Sequence, residues 1–235
     1  MMQSPLPLTR DLVLVGGGHS HALVLRMWGM APLPGVRLTL INPGPTAPYS
    51  GMLPGFVAGH YPREALDIDL VQLARFAGAR LVIGAAEAID TEARRISVPG
   101  RPAIAYDVAS IDIGITATLP ELDGFADHAI PAKPLDGLAS AWQAFLADDG
   151  PARIACIGGG VAGVELTLAM AHALRAAGRL QEATLIDAGA VLAPMLRAPR
   201  DRLLAALAAQ GVPVLEHVAI AEITATAIRL QDGRE

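Results

Sequence analysis

RIACIGGGVAGVE, residues Arg153 to Glu165, is an apolar run that breaks into three glycines and passes into helix-forming residues. The order is strand, tight turn, helix. Glycine belongs in such a turn because the chain must reach φ > 0 and because a dinucleotide pyrophosphate approaches the backbone more closely than a β-carbon permits. The helix that follows presents its first free N–H groups and the positive end of its dipole to the phosphates. Gly158, Gly160 and Gly163 fill all three positions of G-x-G-x-x-G, with Gly159, Val161 and Ala162 between them as cofactor-facing backbone. Asp187 closes the next predicted strand, Ala183 to Ile186, where a carboxylate can take both hydroxyls of an adenosine ribose. It would repel a 2′-phosphate, and no arginine directly follows it, which favours NAD over NADP.

A second version of the device lies upstream, DLVLVGGGHSH at Asp11 to His21. Gly16, Gly17 and Gly18 make the turn and His19 and Ser20 open the helix, but His21 stands at the third glycine position. Asn42, not an acid, closes the second strand, and it can hydrogen-bond a ribose without charge assistance. Either turn alone can be a glycine-rich strand end with no ligand; two in one chain point to two dinucleotides and electron transfer between them. His19 and His21 have metal-ligand spacing, yet a cation there would disrupt an anion site, so no metal is expected.

Around the turns, strands and helices alternate. Strand Leu12 to Val15, helix Ser20 to Met30 and strand Arg37 to Ile41 make a βαβ unit, and a Pro- and Gly-rich loop runs from Asn42 to His60. Asp69 caps a helix of Leu70 to Ala77 that Gly78 stops. Strands at Arg80 to Ile83, Arg94 to Val98 and Asp107 to Ile113 follow, with a hairpin turn at Pro99 to Pro102. Irregular sequence from Thr116 to Pro134 suits an interdomain crossing. Helix Leu135 to Ala147 leads into strand Arg153 to Ile157, helix Val161 to Ala177 and strand Ala183 to Ile186. Helix Arg200 to Ala209 and strands Val212 to Leu215 and Ala227 to Leu230 complete the plan. The expected class is α/β: two Rossmann-like domains, residues 1–130 and 131–235, with parallel sheets in three layers and small antiparallel additions.

Composition narrows the function. The 235 residues carry a net charge of −5 and no basic run, which argues against a nucleic-acid surface. No uncharged apolar stretch approaches the roughly 20 residues of a membrane helix, and the start lacks an apolar signal region, so a cytoplasmic location is the expectation. Cys156 is the only cysteine, set within an apolar strand. Redox chemistry here must pass electrons from a cofactor directly to an acceptor, without a dithiol pair.

Both turns, APYSGMLPG at Ala47 to Gly55, YDVASIDIG at Tyr106 to Gly114 and PAKPLDG at Pro131 to Gly137 resemble the pyridine nucleotide-disulfide oxidoreductase superfamily. Within it the chain is most similar to type II NADH dehydrogenase-like flavoproteins, especially the branch beside or fused to selenophosphate synthetase (selenide, water dikinase). The resemblance implies FAD at Gly16 and Gly18 and NADH at Gly158, Gly160 and Gly163. It places the Pro48 to Pro54 loop, with Tyr49, Ser50, Gly51 and Met52, and also Gly114, along the flavin. It implies hydride transfer from NADH to flavin, then electron release to a quinone-like acceptor, with selenophosphate synthetase as a candidate partner. Glu165 falls near the nicotinamide, although a first-turn carboxylate favoured by the helix dipole explains it as well. Lys133, the sole lysine, sits where the family has a Lys-Pro; a flavin contact or a solvated loop cation both fit.

Family members run on to a further strand, a G-D segment that contacts FAD, and a C-terminal domain. On that pattern the chain reads as truncated, with a flavin domain lacking its closing strand. The alternative function is therefore a nucleotide- or partner-binding module without turnover.

Overall fold

Apolar runs ending at glycine produce the first βαβ unit where the sequence predicts it. In the computed structural model, which describes residues 7, 9–114 and 120–235, β1 (Arg10–Val15) leads through the glycines into α1 (His19–Met30) and β2 (Val36–Asn42). The two strands are parallel, with Leu12 opposite Leu38 and Leu14 opposite Leu40. Gly16 and Gly35 punctuate them at φ +89° and +75°, left-handed values that a β-carbon disfavours.

From Asn42 to His60, where the sequence predicts only loop, the chain builds β3 (Thr46–Pro48), a 3-10 turn at Ser50–Met52 and α2 (Leu53–Val57). Proline is compatible with α2 because the first-turn amides have no intrahelical partner, and Leu53, Phe56 and Val57 give the helix a buried face. Five residues are too short a window for helical periodicity to register. β4 (Asp67–Asp69) pairs antiparallel with β3, and α3 (Leu70–Ala77) follows with the expected punctuation. Asp69 accepts from the Gln72 amide at 2.9 Å, and Gly78 ends the helix at φ +62°. β5 (Arg80–Ile83) joins β2 in parallel.

An unanticipated strand, β6 (Ala88–Asp90), pairs with β7 (Arg95–Ser97), which pairs with β8 (Ile104–Ala105) across the expected turn at residues 99–102. β9 (Val108–Ile111) then lies parallel to β1, giving the order β5-β2-β1-β9. Alternation along β1 separates two cores. Leu14 packs with Leu25, Leu38, Leu40 and Leu70, on the side of α1 and α3, while Val13 and Val15 pack with Ile96 and Ile104 of the antiparallel sheet and with Val98 just past β7. Helices, parallel sheet and antiparallel sheet are the three expected layers.

The second unit repeats the plan with a smaller sheet. α4 (Phe125–His128) interrupts the stretch expected to be irregular, and residues 116–119 of that stretch lie outside the described chain. α5 (Leu135–Leu146), β10 (Ala152–Ile157), α6 (Val161–Ala176), β11 (Leu180–Ile186), α7 (Arg197–Ala209) and β12 (Val214–Leu215) follow, with β10-β11-β12 all parallel. β13 (Ile220–Ile223) and β14 (Ile228–Leu230) form an antiparallel hairpin. Val164 and Ala171 pack on Leu185, Leu192, Leu207 and Val212 in the core. By contacts, one unit takes the described residues up to Tyr49 and from Leu66 to 114; the other takes Ser50–Ala65 and the described residues from 120 on. The indole of Trp142 donates to the Val57 carbonyl at 3.1 Å, tying α2 to α5. Among the described residues no helix is long and apolar enough to cross a membrane.

Candidate functional site

The two glycine turns share one hydrogen-bond scheme. At the end of β10 the Gly158 amide donates to the Ile186 carbonyl at 2.8 Å, and at the end of β1 the Gly16 amide donates to the Ile41 carbonyl at 2.8 Å. The next amide goes to the side chain closing the second strand: Gly159 donates to the Asp187 carboxylate, and Gly17 to the Asn42 side-chain oxygen at 2.8 Å. Each turn is thus locked to its neighbouring strand by the residue that the sequence predicts as the ribose ligand.

Beyond that point the second turn is open. Gly158 has φ +108°, and there is free space where a β-carbon would stand on Gly158 or Gly160. Among the described residues, the amides of Gly160, Val161, Ala162 and Gly163 have no protein acceptor. A β-carbon on Gly163 would instead run into the Gly158 carbonyl, so this glycine serves the close approach of α6 to the strand end. Free donors, the helix dipole and an unobstructed surface fit a diphosphate. Asp187 is anchored on both oxygens, the second accepting from Gly189 at 2.6 Å. Carboxylate oxygens carry further lone pairs, so this does not exhaust its capacity for hydroxyls.

The first turn is more occupied. Asn42, 7% exposed, also donates to the Gly44 and Thr46 carbonyls, which commits its amide to the turn and the following loop. Its NH2 group thus has a scaffolding role, while the side-chain oxygen, which accepts from Gly17 alone, keeps a second lone pair for the ribose expected there. Asp112, just past β9, accepts the Gly18 amide on its carbonyl at 3.2 Å and the His21 amide on its carboxylate at 3.0 Å. A β-carbon on Gly18 would collide with that carboxylate. His19 and Ser20 keep amides without a partner among the described residues, so a diphosphate fits there, beside Asp112.

His21 is buried, at 2% exposure, and its ring bridges the turn to β9. Nδ1 lies 2.7 Å from the Gly16 carbonyl and Nε2 2.9 Å from the Ser110 hydroxyl. A carbonyl only accepts, so Nδ1 carries a proton, and Nε2 meets a hydroxyl that can serve as donor or acceptor. His19 is exposed with its ring 6.0 Å from that of Tyr49, so the two histidines do not converge.

Tyr49 is partly exposed, its amide donating to the Leu66 carbonyl at 2.7 Å, while Ser50, Gly51 and Met52 make the 3-10 turn before α2. Gly114 is exposed with open space around it. Glu165 is exposed on α6, one turn beyond the glycines; Lys133 is half-buried before α5. Burial pushes the Cys156 thiol above its ordinary range, with a hydrogen bond to Thr167 pulling the other way.

Four contributors escaped the sequence reading. Ser110 in β9 and Asp112 just past it approach the first turn from 89 and 91 residues away in the chain, and the one visible signal was a histidine in a glycine slot. Glu216 accepts the Val191 amide at 2.7 Å and pairs with Arg200 at 2.9 Å, beside Asp187, and no local motif marks either residue.

A family model described as pyridine nucleotide-disulphide oxidoreductase matches residues 10–235. The chain is 31% identical over 137 residues to demethylphylloquinone reductase NdbB of Synechocystis sp., covering 56% of this chain and 33% of that protein. The water-forming NADH oxidase of Lactobacillus brevis, solved with NADH, superposes with TM-score 0.74 at 20% identity, over 96% of this chain and 51% of that one. The sulfide:quinone oxidoreductase of Aquifex aeolicus gives 0.73 at 18%, over 96% and 56%. At these identities the solved structures show the fold alone, and the chain spans about a third to a half of these relatives' lengths. Two glycine turns on parallel sheets, matched along their whole described length, establish that the chain belongs to the pyridine nucleotide-disulphide oxidoreductase family.

Proposed function

We propose that the chain is the two-dinucleotide part of an FAD-dependent NADH oxidoreductase that delivers electrons to a quinone-like acceptor. The observation that carries this reading is the repeated turn, in which each middle glycine amide is tied to the next strand while amides at the helix start stay free. The second turn is the NADH site, with Gly160, Val161, Ala162 and Gly163 supplying amides and Asp187 facing the ribose. The first is the FAD site, with His19 and Ser20 supplying amides. When bound, FAD supplies the hydride-accepting ring and the release of electrons one or two at a time. This chain's residues bind and orient: Tyr49 to Met52 and Gly114 along the flavin, Glu165 toward the nicotinamide, Lys133 toward the flavin or acceptor. The quinone class is supported by the relative named as a demethylphylloquinone reductase. Cys156 is alone, so the route to the acceptor uses no disulfide of this chain.

Anaerobic titration of the FAD-loaded protein with NADH and then a quinone tests the reading. Bleaching of the flavin band by NADH and its return on quinone addition are expected; protein that takes up no FAD, or flavin that NADH does not bleach, refutes it. Asp112 favours a second reading, a nucleotide-binding module without turnover, because its carboxylate occupies part of the first helix start. That reading predicts NADH binding with no FAD uptake. The link to selenophosphate synthetase rests on GGGHSH and PYSGMLPG, and co-purification with that enzyme tests it.

A further inference from the structure

We infer that Arg200 and Glu216 are positioning residues for the second glycine turn, acting through the backbone of Val191; this rests on reading that turn as the NADH site. Val191 is fully buried, and both its polar backbone groups are held from outside its own loop. Its N–H donates to Glu216 Oε1 at 2.7 Å and its carbonyl accepts from Arg200 Nε at 2.8 Å. Arg200 Nη2 closes the ring on the same Glu216 oxygen at 2.9 Å. Arg200 comes from α7 and Glu216 follows β12, so the ring draws two separate elements onto one residue.

What this ring fixes is the following residue. Leu192 stands at φ +56°, a left-handed conformation that costs a residue with a β-carbon on the order of 1 kcal/mol and needs support from its surroundings. In that conformation its amide donates to the Gly159 carbonyl at 2.8 Å. The Gly159 amide is already taken by Asp187, so the middle glycine is gripped at both ends, and a β-carbon on it would strike Val191. With Gly159 immobile, the free amides from Gly160 to Ala162 point in one fixed direction, which is the preorganisation that diphosphate binding rewards.

The ion pair itself contributes little. Arg200 and Glu216 are 28% and 32% exposed, so solvent screens their attraction. Their weight lies in satisfying two buried backbone groups that would otherwise release the corner at residues 191–192. Loss of the ring is therefore expected to lower the melting temperature and, through Gly159, to weaken ligand binding as well.

The test is calorimetric titration of the full chain with NADH, alongside amide hydrogen exchange. Glu216→Ala is expected to weaken NADH by about tenfold, the effect of losing one charge-assisted hydrogen bond, and to speed exchange at Val191 and Leu192 but not in β10. Glu216→Gln retains an acceptor oxygen and is expected to bind within about threefold of the parent, since only the charge is lost. Arg200→Lys, whose single ammonium cannot serve the Val191 carbonyl and Glu216 in the same fork geometry, weakens NADH severalfold with a small fall in melting temperature and faster exchange confined to Val191 and Leu192. Should Glu216→Ala not fold, Arg200→Lys decides the matter alone. Asp187→Ala separates the two levels of the argument. If it weakens NADH while the Glu216 and Arg200 variants bind like the parent, the clamp is overturned and the site stands; if the parent does not bind NADH, or Asp187→Ala leaves binding untouched, the site reading falls and takes the clamp with it.

Discussion

The side-chain oxygen of Asn42 accepts the Gly17 amide at 2.8 Å while its NH2 group donates to the carbonyls of Gly44 and Thr46 at 2.8 and 3.1 Å. One buried amide thus joins the first glycine turn to the loop that follows β2. Asn42→Ala leaves the buried Gly17 amide and the loop carbonyls without this partner, and is expected to cost about 3 kcal/mol in urea unfolding. Asn42→Asp keeps the acceptor but turns an oxygen toward two carbonyls, so it also destabilises. An Asn42→Ala protein of parental stability would remove the scaffolding role.

Gly160 and Gly163 separate binding from folding. A β-carbon on Gly160 projects into open space, so Gly160→Ala is expected to keep stability within about 0.5 kcal/mol of the parent while blocking NADH by occupying the phosphate approach. Gly163→Ala collides with the Gly158 carbonyl and is expected to lower the melting temperature as well. Paired melting and calorimetric measurements check the contrast.

On the proposed reading, Asp187 sets the choice between dinucleotides. Asp187→Ser removes the charge that repels a 2′-phosphate and loosens Gly159 and Gly189, so NADH affinity is expected to fall about tenfold while the disadvantage of NADPH shrinks. Competition titrations with both cofactors report the ratio.

Asp112 places a negative charge beside the amides proposed for the FAD diphosphate. Asp112→Asn retains an acceptor for His21 and removes the charge, so FAD affinity is expected to rise severalfold. Fluorescence titration with FAD measures it, and an unchanged or weaker affinity would show that the carboxylate does not oppose the cofactor.

Burial holds the Cys156 thiol above its ordinary range, so the folded protein keeps the proton at a pH where the unfolded chain releases it. Stability from this group is complete below the ordinary thiol value of about 8.5 and declines as pH rises through the folded value. Alkylation at neutral pH is expected to be much slower than in urea, and Cys156→Ala removes this thiol-dependent part of the alkaline loss of stability.

The glycine turns, the paired βαβ units and the punctuation of α3 by Asp69 and Gly78 were legible because each depends on local chemistry. Left-handed φ at Gly16 and Gly158, a side-chain cap three residues from its amide, and apolar runs of strand length are properties of adjacent residues. α2 and β6 were not legible. Each is too short to show a period, and α2 is fixed by burying Leu53, Phe56 and Val57 in packing that sequence spacing cannot report.

The sequence by itself determined that two dinucleotide turns exist and where each begins, since a strand breaking into glycines and then a helix start is written in contiguous residues. Only the tertiary structure decided how each turn is held and how much of it stays free. Asp112 reaches the first turn from just past β9, Asn42 turns inward, and Glu216 with Arg200 grips the corner behind the second, all contacts between residues far apart in the chain. Hydrogen bonds at such separations are set by how strands register and layers pack, and no local pattern encodes them.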